Sequence, residues 1–215
     1  MKIVTNQQET EAITNRNGPK AVEYVEPEVF KRFPQARAKH RFEVPYNGDP
    51  ELIEQIAMSP MLKEYTKFMY LPCNVEHGIV SSPQDRKNDR SLQETRKIIL
   101  NIQNAGLEPG ILIQRGCNLD NMEFYTDLGV KYFTIGDDYL AYGIREKWGN
   151  DLYLTASMTN VRCLGDYEHV PVGLYDMMVL YLWFSRHLEC IEQLPARHNY
   201  SVMVNNLCLY NCPWA

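Results

Sequence analysis

The 215-residue sequence has no apolar run approaching the roughly 18 residues needed to cross a bilayer. Its first residues, MKIVTNQQETEAIT, lack the apolar core of a secretory signal, so the expected setting is the cytoplasm, with no membrane partner. Neither sign of charge dominates. The 22 Lys and Arg set against 27 Asp and Glu leave a net charge of −5, which gives no electrostatic footing for general nucleic-acid binding. A single RNA contact through a local patch stays open. The dinucleotide fingerprint G-x-G-x-x-G is missing, as are G-x-S-x-G and H-E-x-x-H. There is no repeat of fixed period and no low-complexity tract. Six cysteines at irregular spacing, without a secretion signal, argue against a disulfide framework and leave buried small hydrophobes, reactive thiols or metal ligands.

What is present is a rhythm. Residues 1–40 are polar, mixed in charge, and read as an N-terminal extension, with 41–215 as the domain proper. From residue 41 short apolar runs alternate with amphipathic stretches. Strands are expected at 41–46, 68–71, 110–114, 130–135, 152–156, 177–181 and 201–204. Helices are expected at 50–63, from 91 to about 105, 119–128, 138–147 and 184–194. Ser91 with Glu94 forms a capping box, the serine oxygen accepting from the N3 backbone while the glutamate reaches back. Gly106, Gly129 and Gly149 stand where helices should stop.

Strands alternating with helices imply right-handed crossovers and a parallel sheet. Seven such units without an order reversal predict an α/β fold like a TIM barrel, its eighth unit missing or supplied elsewhere. An open doubly wound sheet is the alternative. Seven strands would leave two open edges, so a homo- or hetero-oligomer covering them is expected.

In such barrels the active site lies at the C-terminal ends of the strands. Those ends deliver Tyr46, Asn47, Cys73, Gln114, Arg115, Asp137, Ser157, Thr159, Asn160 and Asn205. Arg90, Arg115 and Arg186 suit an anionic substrate, because guanidinium pairs with carboxylate or phosphate through a two-pronged fork. Each such arginine more often serves as a surface or salt-bridge residue. Asp137 is a candidate acid or base, or else the cap of the helix that follows it. Cys208 and Cys212 sit four apart beyond the last strand, a spacing compatible with zinc or an iron–sulfur cluster. A cluster needs further thiolates, for which Cys73 and Cys163 follow other strands. A C-x-x-x-C-x-x-C motif would need a cysteine at Ala215.

Several segments together resemble a known family. They are Tyr70 with the loop ending in Arg90, Asn104-Ala105-Gly106 before Ile111-Leu112-Ile113, Leu128-Gly129-Val130 before Asp137, and Leu152 to Asn160. Asp176 to Leu180, Ser185-Arg186 and Val202 to Cys208 follow in the same order. Over residues 41–212 this pattern resembles the collagenase-like peptidases, although Ser201 and Asn205-Asn206 depart from the family's Glu and His-Gly, and the spacing of Cys208 and Cys212 is short. The resemblance implies a barrel enzyme with a 4Fe–4S cluster, an oxygen-independent hydroxylase or related modification enzyme acting on a small molecule or RNA. Cys208 and Cys212 would be the first two cluster ligands, and the family's later cysteines would lie beyond Ala215, as in a fragment or curtailed barrel. Two rivals remain. One is a non-catalytic barrel-derived subunit or scaffold. The other is a peptidase, for which His77, His169 and His187 stand without an evident nucleophile partner.

Overall fold

The computed structural model describes residues 32–33, 42–74, 76–77, 90–114, 116–158, 164–181, 187–195 and 199–202. In chain order the elements are β1 (Phe42–Pro45), α1 (Pro50–Met58), α2 (Pro60–Tyr65), β2 (Thr66–Pro72), α3 (Leu92–Asn104), β3 (Pro109–Ile113) and α4 (Leu119–Asp127). There follow β4 (Tyr132–Ile135), α5 (Asp138–Trp148), β5 (Tyr153–Ala156), α6 (Leu164–His169), β6 (Met177–Val179), α7 (Leu188–Ile191) and β7 (Tyr200–Ser201). The seven strands form one all-parallel sheet in the order β1-β2-β3-β4-β5-β6-β7, curled into a half-barrel. Each described strand lies beside the next in sequence, so the order contains no reversal of the doubly wound kind.

Local chemistry explains most element ends. Asp49 accepts the Glu51 N–H at 2.9 Å and caps α1, with Pro50 preset for the first helical position. The single helix expected over 50–63 is instead two, because Pro60 pushes the residue before it out of the helical region: Ser59 is extended, at φ −98° and ψ 108°. Ser59 then caps α2 through its hydroxyl. The capping box of α3 forms as the sequence predicts, Ser91 Oγ accepting from Glu94 N–H at 3.2 Å and Glu94 Oε2 accepting from Ser91 N–H at 2.8 Å. Gly106, at φ +71°, reverses the chain after α3 where a side chain would be strained. Helix α6 falls in a stretch read from sequence as loop, and described helix α7 is much shorter than the expected 184–194.

The central strands β2 and β5 are buried on both faces, whereas the outer strands β1 and β7 are partly exposed. Against the helices lie Met69, Leu71, Ile111, Ile113, Phe133 and Leu154, all essentially inaccessible. Each such side chain contributes on the order of 2 kcal/mol through removal from water.

The concave face carries a separate aromatic cluster of Phe33, Phe68, Tyr132 and Tyr153. Phe33 comes from the N-terminal extension and meets Tyr132 and Tyr153 edge-on, with ring centroids 5.7 and 5.3 Å away. Phe68 stacks on Tyr132 at 5.1 Å across the intervening strand β3. That crossing requires Gly110, where a Cβ would stand 2.5 Å from Phe68 Cδ2. Lys67 reaches the same face because the β1–β2 register slips by one residue: Phe42 pairs with Thr66 but Glu43 with Phe68. Its ammonium lies 2.9 Å from Glu43 Oε1, 3.1 Å from Tyr153 Oη and 4.5 Å from the Tyr153 ring centroid.

Candidate functional site

The parallel order places the C-terminal ends of β1 to β5 along one edge of the curled sheet. The best-organised part of that edge is the loop leaving β2, and its organiser is Asn74. The backbone N–H of Asn74 donates to Tyr125 Oη at 2.8 Å, and its carbonyl accepts the His77 N–H at 2.8 Å. Its side-chain oxygen accepts the Glu76 N–H at 2.9 Å, an Asx turn. Its Nδ2 donates to the Arg90 carbonyl and, at 3.3 Å, to Thr95 Oγ1. One buried side chain thus ties the start of this long connection to its end, and both to helix α3.

The consequence is the placement of Arg90. Its guanidinium carbon stands 5.4 Å from the Tyr46 ring centroid, a cation–π arrangement over the residue directly after β1. Tyr46 N–H donates to Tyr70 O at 2.8 Å, which fixes the ring's base. Burial raises the Tyr46 phenol above its ordinary pKa; Arg90 pulls it down and Asp49 pushes it up. Two residues expected at the site from sequence, 44 positions apart by number, are therefore neighbours.

Beneath the loop sits a polar knot in an apolar setting. Tyr125 Oη lies 3.2 Å from His77 Nδ1. Asn74 N–H donates to the same oxygen, and a neutral imidazole protonated on Nε2 offers Nδ1 as the acceptor for the phenol proton. Phe124 and Tyr125 flank the imidazole edge-on at 5.2 and 5.5 Å. Burial lowers the His77 pKa, with Glu76 opposing. Burial also drives the Tyr125 phenol far above its ordinary value, and the nearby Cys73 and Cys117 thiols add to the rise.

The other expected residues are spread along the edge. Asn47 is exposed and accepts the Asp49 N–H at 2.9 Å, a local turn. Cys73 is a buried thiol directly after β2, its N–H donating to Leu112 O at 2.9 Å. Gln114 is half-buried at the end of β3. Ser157 is buried at the end of β5, its N–H donating to Ile135 O at 2.8 Å. Asp137 accepts the Tyr139 N–H at 2.9 Å and caps α5, the structural one of its two expected roles. Arg115, Thr159, Asn160, Cys163, Arg186, Asn205, Cys208 and Cys212 lie outside the described residues.

Among the described residues, no group of three His, Cys, Asp or Glu side chains could hold a metal ion. Cys117, the other described thiol at this edge, is pushed up by burial to a pKa of about 11, so without a metal it is protonated at neutral pH. The described residues therefore bring no three such ligands together by themselves, and Cys163, Cys208 and Cys212 lie outside them.

Sequence reasoning missed Asn74 and Tyr125, and it left His77 isolated, without a partner. An asparagine directly after a strand is a turn signal, so Asn74 was findable. The meeting of His77 and Tyr125 across 48 residues leaves no mark in local spacing. No family model matches the chain, and no curated protein matches it.

Proposed function

We propose that the chain is a barrel-type enzyme of the cytoplasm whose substrate binds at the C-terminal edge of the strands. The observation that carries this reading is the reversal-free parallel order, which sets Tyr46, Cys73, Gln114 and Ser157 at the same ends of successive strands and is the order of a (β/α) barrel. The Arg90–Tyr46 pair gives the edge a cationic, aromatic corner, suited to an anionic group on a small molecule or on RNA. Within this reading, the resemblance to the collagenase-like peptidases favours an iron–sulfur-dependent modification enzyme, possessing Cys73, Cys163, Cys208 and Cys212 as its thiols. The cluster part stands on sequence pattern and on the place of Cys73. Anaerobic purification followed by iron and sulfide analysis tests it: about four irons per chain support the cluster, and a colourless, iron-free protein overturns it. Arg90→Ala tests the site separately. It should abolish saturable binding of a phosphate- or carboxylate-bearing substrate without altering the circular-dichroism spectrum.

A second reading, a non-catalytic subunit, is favoured by the apolar surface beside β1. Phe42, Met58, Met61, Leu62 and Tyr65 are all exposed there, between 43% and 80%. Such a patch next to an edge strand suits a protein partner. Light scattering coupled to size exclusion decides: a monomer in solution at all concentrations counts against this subunit reading.

A further inference from the structure

The described methionines divide sharply by exposure. Met69, Met122 and Met178 are essentially inaccessible, and Met158 and Met177 are half-buried. Met58 and Met61 are exposed, at 80% and 63%. These two flank the joint that Pro60 forces between α1 and α2. Met58 ends α1, two residues beyond buried Ile56, so the helical turn carries its side chain to the opposite side. Met61 lies in the first turn of α2, a six-residue helix that buries none of its residues.

Helix α2 ends on Tyr65, and the next residue, Thr66, pairs with Phe42 of β1. Met58 and Met61 thus belong to the exposed apolar surface that also carries Phe42, Leu62 and Tyr65. Apolar side chains left outside the core are where a change of polarity acts on the surface without a cavity forming inside. Of the side chains on this surface, the two thioethers are the ones that a mild oxidant converts reversibly from flexible and apolar to polar.

We propose that Met58 and Met61 are a paired oxidation site for a hydroperoxide, and that their conversion to sulfoxides switches the surface beside β1 from apolar to polar. The sulfur lone pair attacks one peroxide oxygen, the S–O bond forms and the O–O bond breaks. The departing hydroxide takes the proton left on the transferred oxygen and leaves as water. Sulfur loses an electron pair and the peroxide gains it. The site is independent of the strand-end edge and of the reaction proposed there.

Hydrogen peroxide treatment of the intact chain, followed by peptide mass spectrometry and native hydrophobic-interaction chromatography, tests the switch. Met58 and Met61 should each gain oxygen at least about tenfold faster than Met69, Met122 and Met178 in the same sample. The oxidised chain should elute earlier, and methionine sulfoxide reductase should return it toward its original position. That reversible part of the shift should be absent from the double variant Met58→Leu, Met61→Leu, which keeps the apolar surface without the thioethers. The proposal fails if the buried methionines oxidise as fast as the exposed pair, if oxidation leaves the elution unchanged, or if the double variant shifts like the wild type. Where that variant folds poorly, the wild-type peptide map and elution decide alone.

Discussion

Arg145 of α5 and Asp176, just before β6, form the most heavily bonded ion pair among the described residues, with Nη2 2.8 Å from Oδ2. The same guanidinium donates through Nε to Leu174 O at 2.9 Å and through Nη1 to Leu152 O at 2.8 Å and Gly149 O at 3.1 Å. Asp176 Oδ2 also accepts the Leu154 N–H at 2.9 Å. The pair thereby locks the chain entering β5 to the chain entering β6, which share only a short ladder. Both partners are mostly shielded from water, so removing one strands the other. Arg145→Ala should cost about 3–5 kcal/mol in urea unfolding. A loss under about 1 kcal/mol would mean the pair behaves as a surface contact.

His77 should make stability depend on pH. Its folded pKa is lowered by burial, so the folded state binds protons less readily than the unfolded chain does. The contribution is therefore complete above the ordinary value of 6.5 and is lost as pH falls below it toward the folded value. The urea midpoint of the wild type should fall over that window more than that of His77→Gln. Nitrogen shifts in NMR should place the proton of the neutral ring on Nε2 if the Tyr125 phenol donates to Nδ1, and on Nδ1 if the phenol oxygen accepts from it.

Gly110 has no tolerance for a side chain. The nearest obstacle is the Phe68 ring, itself pinned against Tyr132. Gly110→Ala should destabilise by about 1–3 kcal/mol. Phe68→Leu should relieve part of that cost in the double variant, and a strictly additive result would argue against the ring as the obstacle.

Thr155 faces the opposite way energetically. Its hydroxyl is fully buried with no hydrogen-bond partner among the described residues, between Thr134 and Met177 in the ladder. Thr155→Val keeps the shape and removes an unsatisfied polar group, so it should be neutral or stabilising by about 1 kcal/mol. A clear destabilisation would show that the hydroxyl holds a bonded water or other group.

The fold was legible in its periodic parts. The alternation of elements, the capping box at Ser91 and the glycine stops all follow from interactions within a few residues. So did the cap at Asp137, whose side chain bonds to backbone two residues on; the same device at Asp49 went unread. What was hidden lies across the sheet or depends on a slip. Lys67 turns inward only because one residue is inserted opposite β1. Read by simple alternation it would share a face with Met69 and Leu71. Pro60 was visible, but its power to split one helix into two was not weighed. The site was legible as a set of strand ends. Which of them meet was not, since the Tyr46–Arg90 contact depends on Asn74 gathering a long connection, and no spacing rule encodes that.

The simple succession of the strands has a consequence for biogenesis. Every pairing joins a strand to the one translated just before it, so none must wait for a distant partner to leave the ribosome. The sheet can lengthen in the order of synthesis, each new segment docking on the strand laid down before it.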